Sequence, residues 1–494
     1  DMRSMSLMRF IRRSASIFIS PAYLLLTDGS FTIPSDINSA KPLMVVKGDG
    51  SLINAATARQ RPIDTVLSGP AASVFGARAL SGQSNAAVVD IGGTTTDTAL
   101  LRGGKPRLSP EGARVGRWRT SVEAVEISTI GLGGDSALDF DADRRLLIGP
   151  RRALPLCFLA AEQPDLVMTH LERVARDDGA VRTNASSLDL LTLGPMRTAA
   201  GLTPLEAQVM AEVQRGPLGR GELAHRLGLA SARLLNTRRL EDRGLLQRVA
   251  LTPTDLLHVT GEFARFCREA AVKGLAVFAR LFGAAPQEII SLAREGMTRM
   301  LCQVLMSAEL DGQMDLAEEL ASSPALALVF QRMLAPEEDG VLGFRAHYRR
   351  PVVAIGAPAH VFLPPVGERL GCEVIVPTHA EVANAVGAVV SNVSVSETVA
   401  IRPSEFDGFT VYAPRGRCEF EELQQATRFA CSEAARVARE RAVAAGALDP
   451  QVEVEVERRH GRLATGELQL IQVNVRATAF GHPTTSEPAA AASG

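Results

Sequence analysis

The chain has 494 residues, 46% hydrophobic and 22% charged, with 53 Lys and Arg against 55 Asp and Glu. That length supports two to four domains at roughly 150 residues each, and the apolar share is enough for sizeable cores. The net charge of −2 argues against a general attraction to nucleic acid or an anionic membrane. Six scattered cysteines without Cys-x-x-Cys spacing argue against a zinc framework or disulfide scaffold and suit a reducing cytoplasm, and no apolar run reaches the ~18 residues of a spanning helix.

Residues 3–26 carry Arg3, Arg9, Arg12 and Arg13, several serines and no acid. The composition fits a targeting segment or, better, a helix and turn of a domain joined mid-course, since Asp1-Met2-Arg3-Ser4-Met5 does not read as a natural start. An apolar run from Pro42 to Leu52 contains Lys47 and Asp49. Lys47 reads either as a group near a substrate or as a surface charge at a strand end. Ser68-Gly69-Pro70-Ala71-Ala72 reads as a strand ending in a small-residue turn that opens a helix. The free N–H groups of such a helix start favour an anion. A tight packing turn is the equal alternative.

The most informative segment is Asp90-Ile91-Gly92-Gly93-Thr94-Thr95-Thr96-Asp97. Apolar residues lead in from Ala86 and out to Leu101, which predicts strand, glycine turn, strand. Adjacent glycines let a backbone approach an anion with its N–H groups turned inward. Thr94, Thr95 and Thr96 add hydroxyl donors. Asp90 and Asp97 are hard oxygen ligands of the kind a hydrated magnesium takes. The octapeptide reads as a phosphate clamp on a β-hairpin; the alternative is an ordinary hairpin with a Gly-Gly turn.

A second glycine turn, Gly131-Leu132-Gly133-Gly134-Asp135-Ser136, follows the alternating stretch 125–130. Gly133 and Gly134 read as facing phosphates or the reacting group. Asp135 and Ser136 read alternatively as caps of a following helix. Glu126 and Asp135 are candidates for magnesium binding or base chemistry, against plain strand and turn roles.

Thr203-Pro204-Leu205-Glu206 predicts a capped helix to about Arg215. A second helix is expected from about Arg220 to Leu227, a third from Ser231 to Gly244, then a short strand near 245–251. This order resembles a winged helix-turn-helix, with Arg233, Arg238, Arg239 and Arg243 on the third helix. Glu241 and Asp242 interrupt that basic face, so a protein-docking or structural insert is favoured over DNA binding. Another capped helix begins at Thr252-Pro253, where His258 reads as a satisfied core histidine. Residues 261–335 read as a helical block. Ile355-Gly356-Ala357-Pro358 ends an apolar strand, 383–390 is a small-residue helix suited to close helix approach across lobes, 421–445 is a long amphipathic helix, and Val452, Val454 and Val456 mark a strand whose partner holds Leu468 to Val473.

Taken in order, the segments 42–52, 61–73, 86–101, 125–136, 352–359 and 383–390 closely resemble the hydantoinase/oxoprolinase family. The resemblance implies an α/β fold of the actin-like ATPase (ribonuclease H-like) type, two lobes with nucleotide between them. It implies ATP and Mg2+ as cofactors, a cyclic amide or carbonyl compound as substrate, and a second subunit or homo-oligomer; nucleic acid and membrane are not expected as partners. Gly356 and Pro358 would shape the adenosine pocket. Gly92, Gly93, Thr94, Thr95, Thr96, Gly133 and Gly134 would meet phosphates. Asp90, Asp97 and Asp135 would serve the chemistry, with Asp90 and Asp97 linked to the metal. Relatives carry a histidine where Ser128 stands and a further glycine where Asp135 stands, so the transition-metal site of the carboxylase-like branch is not expected. They also carry a preceding lobe with its own Asp-x-Gly-Gly-Thr loop. This chain has one such loop, so autonomous turnover is in question. The expected division is 1–41, a truncated remnant of that lobe; 42–195 and 341–400, the ATPase core; 196–252, a winged-helix-like insert; 253–340, a helical block; 401–482, a C-terminal α/β segment; and 483–494, a disordered tail. A nucleotide-sensing scaffold that uses the insert for a protein or DNA partner is the rival reading.

Overall fold

The computed structural model describes residues 25–27, 30–32 and 43–484, apart from 110–111, 113, 116–117, 121, 177–184, 197–199, 231, 311–313, 336–343, 405–406 and 463–467. The expected lobe remnant, targeting segment and tail lie almost wholly outside the described residues. Contacts divide the chain into two compact units. One comprises Asp1–Ser84, Leu101–Glu126 and Val382–Gly494, the other Asn85–Leu100 and Ile127–Glu381.

In chain order the main elements begin with β1 (Met44–Val46), β2 (Leu52–Asn54), α1 (Ser68–Ser81), β3 (Ala86–Ile91), β4 (Thr96–Arg102), β5 (Ser128–Ile130), β6 (Ser136–Phe140), β7 (Leu146–Arg152) and β8 (Leu154–Pro155). The middle holds α2 (Leu156–Glu162), α3 (Pro164–Arg176), β9 (Leu190–Leu193), α4 (Pro204–Val213), β10 (Leu218–Gly219), α5 (Arg220–Arg226), α6 (Arg238–Asp242), β11 (Leu246–Ala250), α7 (Pro253–Thr260), α8 (Arg268–Phe282) and α9 (Pro286–Leu310). The remainder runs β12 (Val352–Ile355), β13 (Val374–Ile375), α10 (Ala383–Val390), β14 (Val393–Pro403), β15 (Phe409–Ala413), β16 (Gly416–Phe420), α11 (Leu423–Ala444), β17 (Ala447–Arg462) and β18 (Leu468–Pro483).

In the first unit the long C-terminal strands form a sheet in the order β16-β15-β14-β18-β17, extended by β2 beside β14 and β1 beside β2. Helix α11 covers it. Its buried stripe is alanine at 426, 430, 434, 438 and 442, a spacing of four that puts small side chains on one face. They meet Val473, Val475, Ala477 and Ala479, which alternate along β18. Beside them α1 and α10 cross at Gly76 and Gly387. A Cβ on Gly387 would run into the Ala72 carbonyl, and one on Gly76 into the Ala383 carbonyl. Close helix approach through small residues is therefore realised, with both helices inside the first unit. Helix α1 is preceded by a short 3-10 turn (Pro62–Thr65) and a left-handed Leu67 at φ 62°, not by the expected strand.

The second unit is built on the sheet order β5-β4-β3-β12-β13. Strand β5 runs antiparallel to β4, whereas β12 runs parallel to β3 and β13 parallel to β12. Val89, Ile91, Val352 and Ala354 put its core against Met297, Leu301 and Leu305 of α9. A second small sheet, β8-β11-β9-β10, carries the insert. The predicted capping box at Thr203 is present, Glu206 accepting from the Thr203 N–H at 2.8 Å, and the predicted cap at Thr252 is also a box, Asp255 accepting from the Thr252 N–H at 2.9 Å. The expected third helix is broken into a 3-10 turn (Ala232–Leu234) and the five-residue α6. Buried Leu235 and Thr237 lie between them, so tertiary packing overrides the helical periodicity there. His258 is a satisfied core residue. It donates from Nδ1 to the Thr254 carbonyl at 2.8 Å and accepts at Nε2 from the N–H groups of Arg265 and Phe266 at 3.2 and 3.0 Å.

A Gly387→Val substitution places methyl groups where only backbone fits. It should lower stability by about 3 kcal/mol, read as a fall in denaturation midpoint. Gly221→Ala, at a helical glycine with nothing within 4 Å of its added Cβ, should instead be neutral or stabilise by up to about 1 kcal/mol.

Candidate functional site

The segment 86–102 folds as strand, turn, strand, as its sequence predicts. The Gly92 N–H donates to the Thr95 carbonyl at 2.9 Å and closes the turn. Continuing that register sets Asp90 across from Asp97. The neighbouring pairings Thr129↔Asp97 and Ile355↔Asp90 then give one row across the sheet: Ile355, Asp90, Asp97, Thr129. Residues in such a row point to the same face. Burial pushes the Asp97 carboxyl above its ordinary range. The Thr129 hydroxyl opposes this by donating to Asp97 at 2.6 Å, while the Asp90 charge adds to the rise.

The second glycine turn packs against the first, backbone on backbone. Gly134 N–H donates to the Gly92 carbonyl at 3.0 Å, and Asp135 N–H to the Gly93 carbonyl at 2.6 Å. A Cβ on Gly133 would stand 2.5 Å from the Gly92 carbonyl oxygen, and one on Gly93 would stand 2.6 Å from Asp135 Oδ2. Helix α7 holds this second turn: the Thr254 N–H and hydroxyl both donate to the Gly134 carbonyl, at 2.8 Å each. Asp135 faces Arg152 at 3.4 Å. Burial raises its carboxyl from the ordinary range, offset in part by Arg152 and by a hydrogen bond from Thr254.

Gly356 follows β12 with φ 96°. A Cβ there would strike the Ile91 carbonyl and lie 3.0 Å from Asp90 Oδ1. Pro358 begins the short helix Ala359–Phe362 that leads away from it. The structure thus brings Asp90, Gly92, Gly93, Asp97, Gly133, Gly134, Asp135 and Gly356 into one cluster at the carboxyl ends of β3 and β12.

Three expectations need correction. Thr96 is fully buried and its hydroxyl donates to the Leu132 carbonyl at 2.8 Å, so it is spent inside the fold. Gly133 donates its N–H to Ser136 Oγ at 2.9 Å and Gly134 its N–H to Gly92, so these two buttress the first turn and do not face an anion as donors. Asp135 precedes strand β6, which Ser136 opens, and no helix follows; Ser136 caps the turn from within. By contrast, the N–H groups of Gly93 and Thr94 and the hydroxyls of Thr94 and Thr95 make no hydrogen bond among the described residues, and Gly93 and Thr94 are exposed.

Sequence reasoning missed Thr129, Arg152 and Thr254. Nothing local marks the first two, while Thr254 was hidden in a helix-capping motif. In the first unit Lys47 pairs with Asp49 at 2.7 Å, Asp49 accepts from Ser51, and Glu126 pairs with Arg107 at 2.6 Å. These are local turn and strand contacts.

Residues 31–156 match the hydantoinase/oxoprolinase family model, and that stretch contains both glycine turns. Over that stretch the chain is similar to the hydantoinase/oxoprolinase family. A caprolactamase subunit alpha from Pseudomonas jessenii is 24% identical over 230 residues, which make up 41% of this chain and 32% of that protein. The chain therefore spans about a third of the length of this curated family relative. Among solved structures, a nucleotide-free acetone carboxylase aligns with TM-score 0.49 at 14% identity, covering 91% of this chain and 54% of that one. The ATP-dependent caprolactamase of Pseudomonas jessenii aligns with TM-score 0.44 at 15% identity, over the same shares of the two chains.

Because Asp97 holds its proton more tightly folded than unfolded, the folded state binds more protons between the two values. Stability therefore declines as pH rises through that window, starting from the ordinary 3.8. Asp97→Asn keeps an acceptor for Thr129 and removes the charge. It should raise the melting temperature at pH 7, with a gain that vanishes as pH falls toward 4. A pH series of thermal unfolding curves measures it.

Proposed function

We propose that the chain is the nucleotide-handling part of an ATP-dependent enzyme that activates a cyclic amide or carbonyl compound by phosphoryl transfer. The observation that carries this reading is a convergence at one sheet end. Strand β3 has its hairpin partner β4 on one side and a parallel crossover strand, β12, on the other. In open α/β sheets, ligands bind outside the carboxyl ends of parallel strands where connections part in this way. Here that point holds unpaired N–H groups of Gly93 and Thr94, the hydroxyls of Thr94 and Thr95, and two carboxylates that repel each other. The same strand order supports the actin-like reading of this unit.

The donors suit phosphate oxygens, because successive backbone N–H groups form a concave anion site. Their role is to orient the terminal phosphate and to neutralise charge that grows during transfer, which is most of what such a reaction asks of a protein. Asp90 and Asp97 fit a magnesium ion. Two carboxylates side by side repel each other, which a cation relieves, and magnesium takes one or two carboxylates and keeps its waters. When bound, the ion would supply charge neutralisation at the phosphates. Asp135, raised toward neutrality by burial and tethered by Arg152 and Thr254, is the group placed to hold or move a proton beside Gly93. Gly356 keeps the other side of the site free of side chains and, with Pro358, is our candidate for the adenosine side.

The family relative is itself named as a subunit, which supports a partner subunit for this protein. Six free cysteines support a reducing compartment such as the cytoplasm. No single described helix is long and apolar enough to cross a membrane. The insert is read as a winged-helix-like module with a structural or docking task. Arg239 bonds Glu206 and the Gly201 carbonyl, Arg243 the Ala200 carbonyl, and Arg238 pairs with Asp242. Guanidinium groups committed in this way make a weak phosphate-binding face, so the rival DNA-linked reading is not favoured.

Calorimetry of magnesium–ATP with the chain and with Asp90→Ala should show binding that the substitution weakens by at least about tenfold. Absence of nucleotide binding, or equal affinity in both proteins, would count against the proposal. Lactam-dependent phosphate release in the presence of the partner subunit would extend it to turnover.

A further inference from the structure

Strand β17 has an open edge. It is 16 residues long, and among the described residues it pairs with β18 alone. Its register breaks at Leu448/Gln451 and again at Arg459/His460, which leaves 451–459 as an unbulged segment between them. A long open edge is a template for another strand, and monomeric proteins usually blunt it with bulges, proline or charged side chains, so the charges on this edge decide which strand it accepts. Here the bulges fall only at the two ends.

The two faces of this edge differ sharply. Buried Val473, Val475, Ala477 and Ala479 on β18 lie opposite Arg458, Val456, Val454 and Val452, so the valines share the face that α11 covers farther in. Val454 and Val456 are nevertheless 39% and 44% exposed. On the opposite face stand Glu453, Glu455 and Glu457, all exposed. Across from Glu455 lies Arg476, which already pairs with Glu123 at 2.5 Å. Across from Glu453 lies Thr478, and across from Glu457 lies Asn474. Arg459 approaches Glu457 at 3.5 Å. The row therefore carries more negative charge than its own sheet compensates.

A second copy of this chain does not match that pattern. Two copies paired antiparallel about a twofold axis centred on any residue from 453 to 457 set glutamate against glutamate. An axis centred on Arg458 faces Glu457 with Arg459 but sets Arg458 against itself and leaves Glu455 opposite Gly461, and an axis centred on Arg459 sets that arginine against itself. Like charges directly opposite destabilise a strand pair. The complementary strand has basic residues opposite the glutamates and apolar residues opposite the valines.

We propose that the 451–459 edge receives a strand from a second, different polypeptide, one in which Lys or Arg alternates with Val, Ile or a similar residue. The added strand would extend the seven-stranded sheet by β-augmentation. Main-chain hydrogen bonds would supply affinity, and the alternating side chains would supply selectivity. This inference is independent of the nucleotide site.

The test uses fluorescence anisotropy of two labelled ten-residue peptides, one alternating Lys and Val, the other Glu and Val, with the whole chain. The Lys/Val peptide should bind at least tenfold more tightly, lose affinity as salt rises, and slow amide exchange across 451–459. The triple variant Glu453→Lys, Glu455→Lys, Glu457→Lys, altered only at exposed side chains, should reverse the preference. Equal or absent binding of the two peptides overturns the proposal, as does exchange that stays fast over 451–459. Self-association of the chain that the triple variant alters would also overturn it, since the occupant is then a second copy.

Discussion

Two glycine turns resting on each other's backbone are the constraint on which the candidate site depends. Gly92 and Gly93 offer their carbonyls to the N–H groups of Gly134 and Asp135, and no Cβ fits at Gly133. This contact fixes the first turn from below. Its upper side is then free to present the N–H groups of Gly93 and Thr94 outward. A turn held by side chains would have rotamers to lose and room to drift. A turn held by main-chain bonds does not, and it keeps its exposed N–H groups fixed in place.

The support continues outward through α7. Asp255 is fully buried and accepts from the N–H groups of Leu156, Cys157 and Thr252, so one carboxylate joins the starts of α2 and α7. Burial pushes that carboxyl above its ordinary range even with these donors. Thr254, one residue earlier, reaches the Gly134 carbonyl. The order of support runs from Asp255 to the start of α7, to Thr254, to the second turn, to the first. Removing any link loosens the first glycine turn.

The cost of the site is visible in its carboxylates. Asp90 and Asp97 are neighbours in a row, and Asp97 and Asp135 are both desolvated. Desolvated carboxylates gathered at one sheet end are candidates for a functional site. Asp135 has an arginine, Arg152, at 3.4 Å and half-exposed. The insert behaves in the opposite way: Arg239, Arg243 and Arg220 are all bonded within it, which is the economy of a structural module.

The sequence alone determined the local events. It set the hairpin around Gly92 and Gly93, the capping boxes at Thr203 and Thr252, the small-residue crossing of 383–390 and the β17–β18 pair. Each rests on residues close in the chain, where turn chemistry, periodicity and capping act. Tertiary structure decided which groups remain free. Thr96 looks like its neighbours Thr94 and Thr95, yet the pleat turns its hydroxyl inward to Leu132. Gly133 and Gly134 look like phosphate donors, yet their N–H groups face Ser136 and Gly92. Thr129 and Arg152 carry no local signal and join the site only because β5 pairs with β4 and β7 ends beside Asp135. A hydrogen-bond donor is available only when no partner far along the chain has claimed it, and that depends on contacts between residues tens of positions apart.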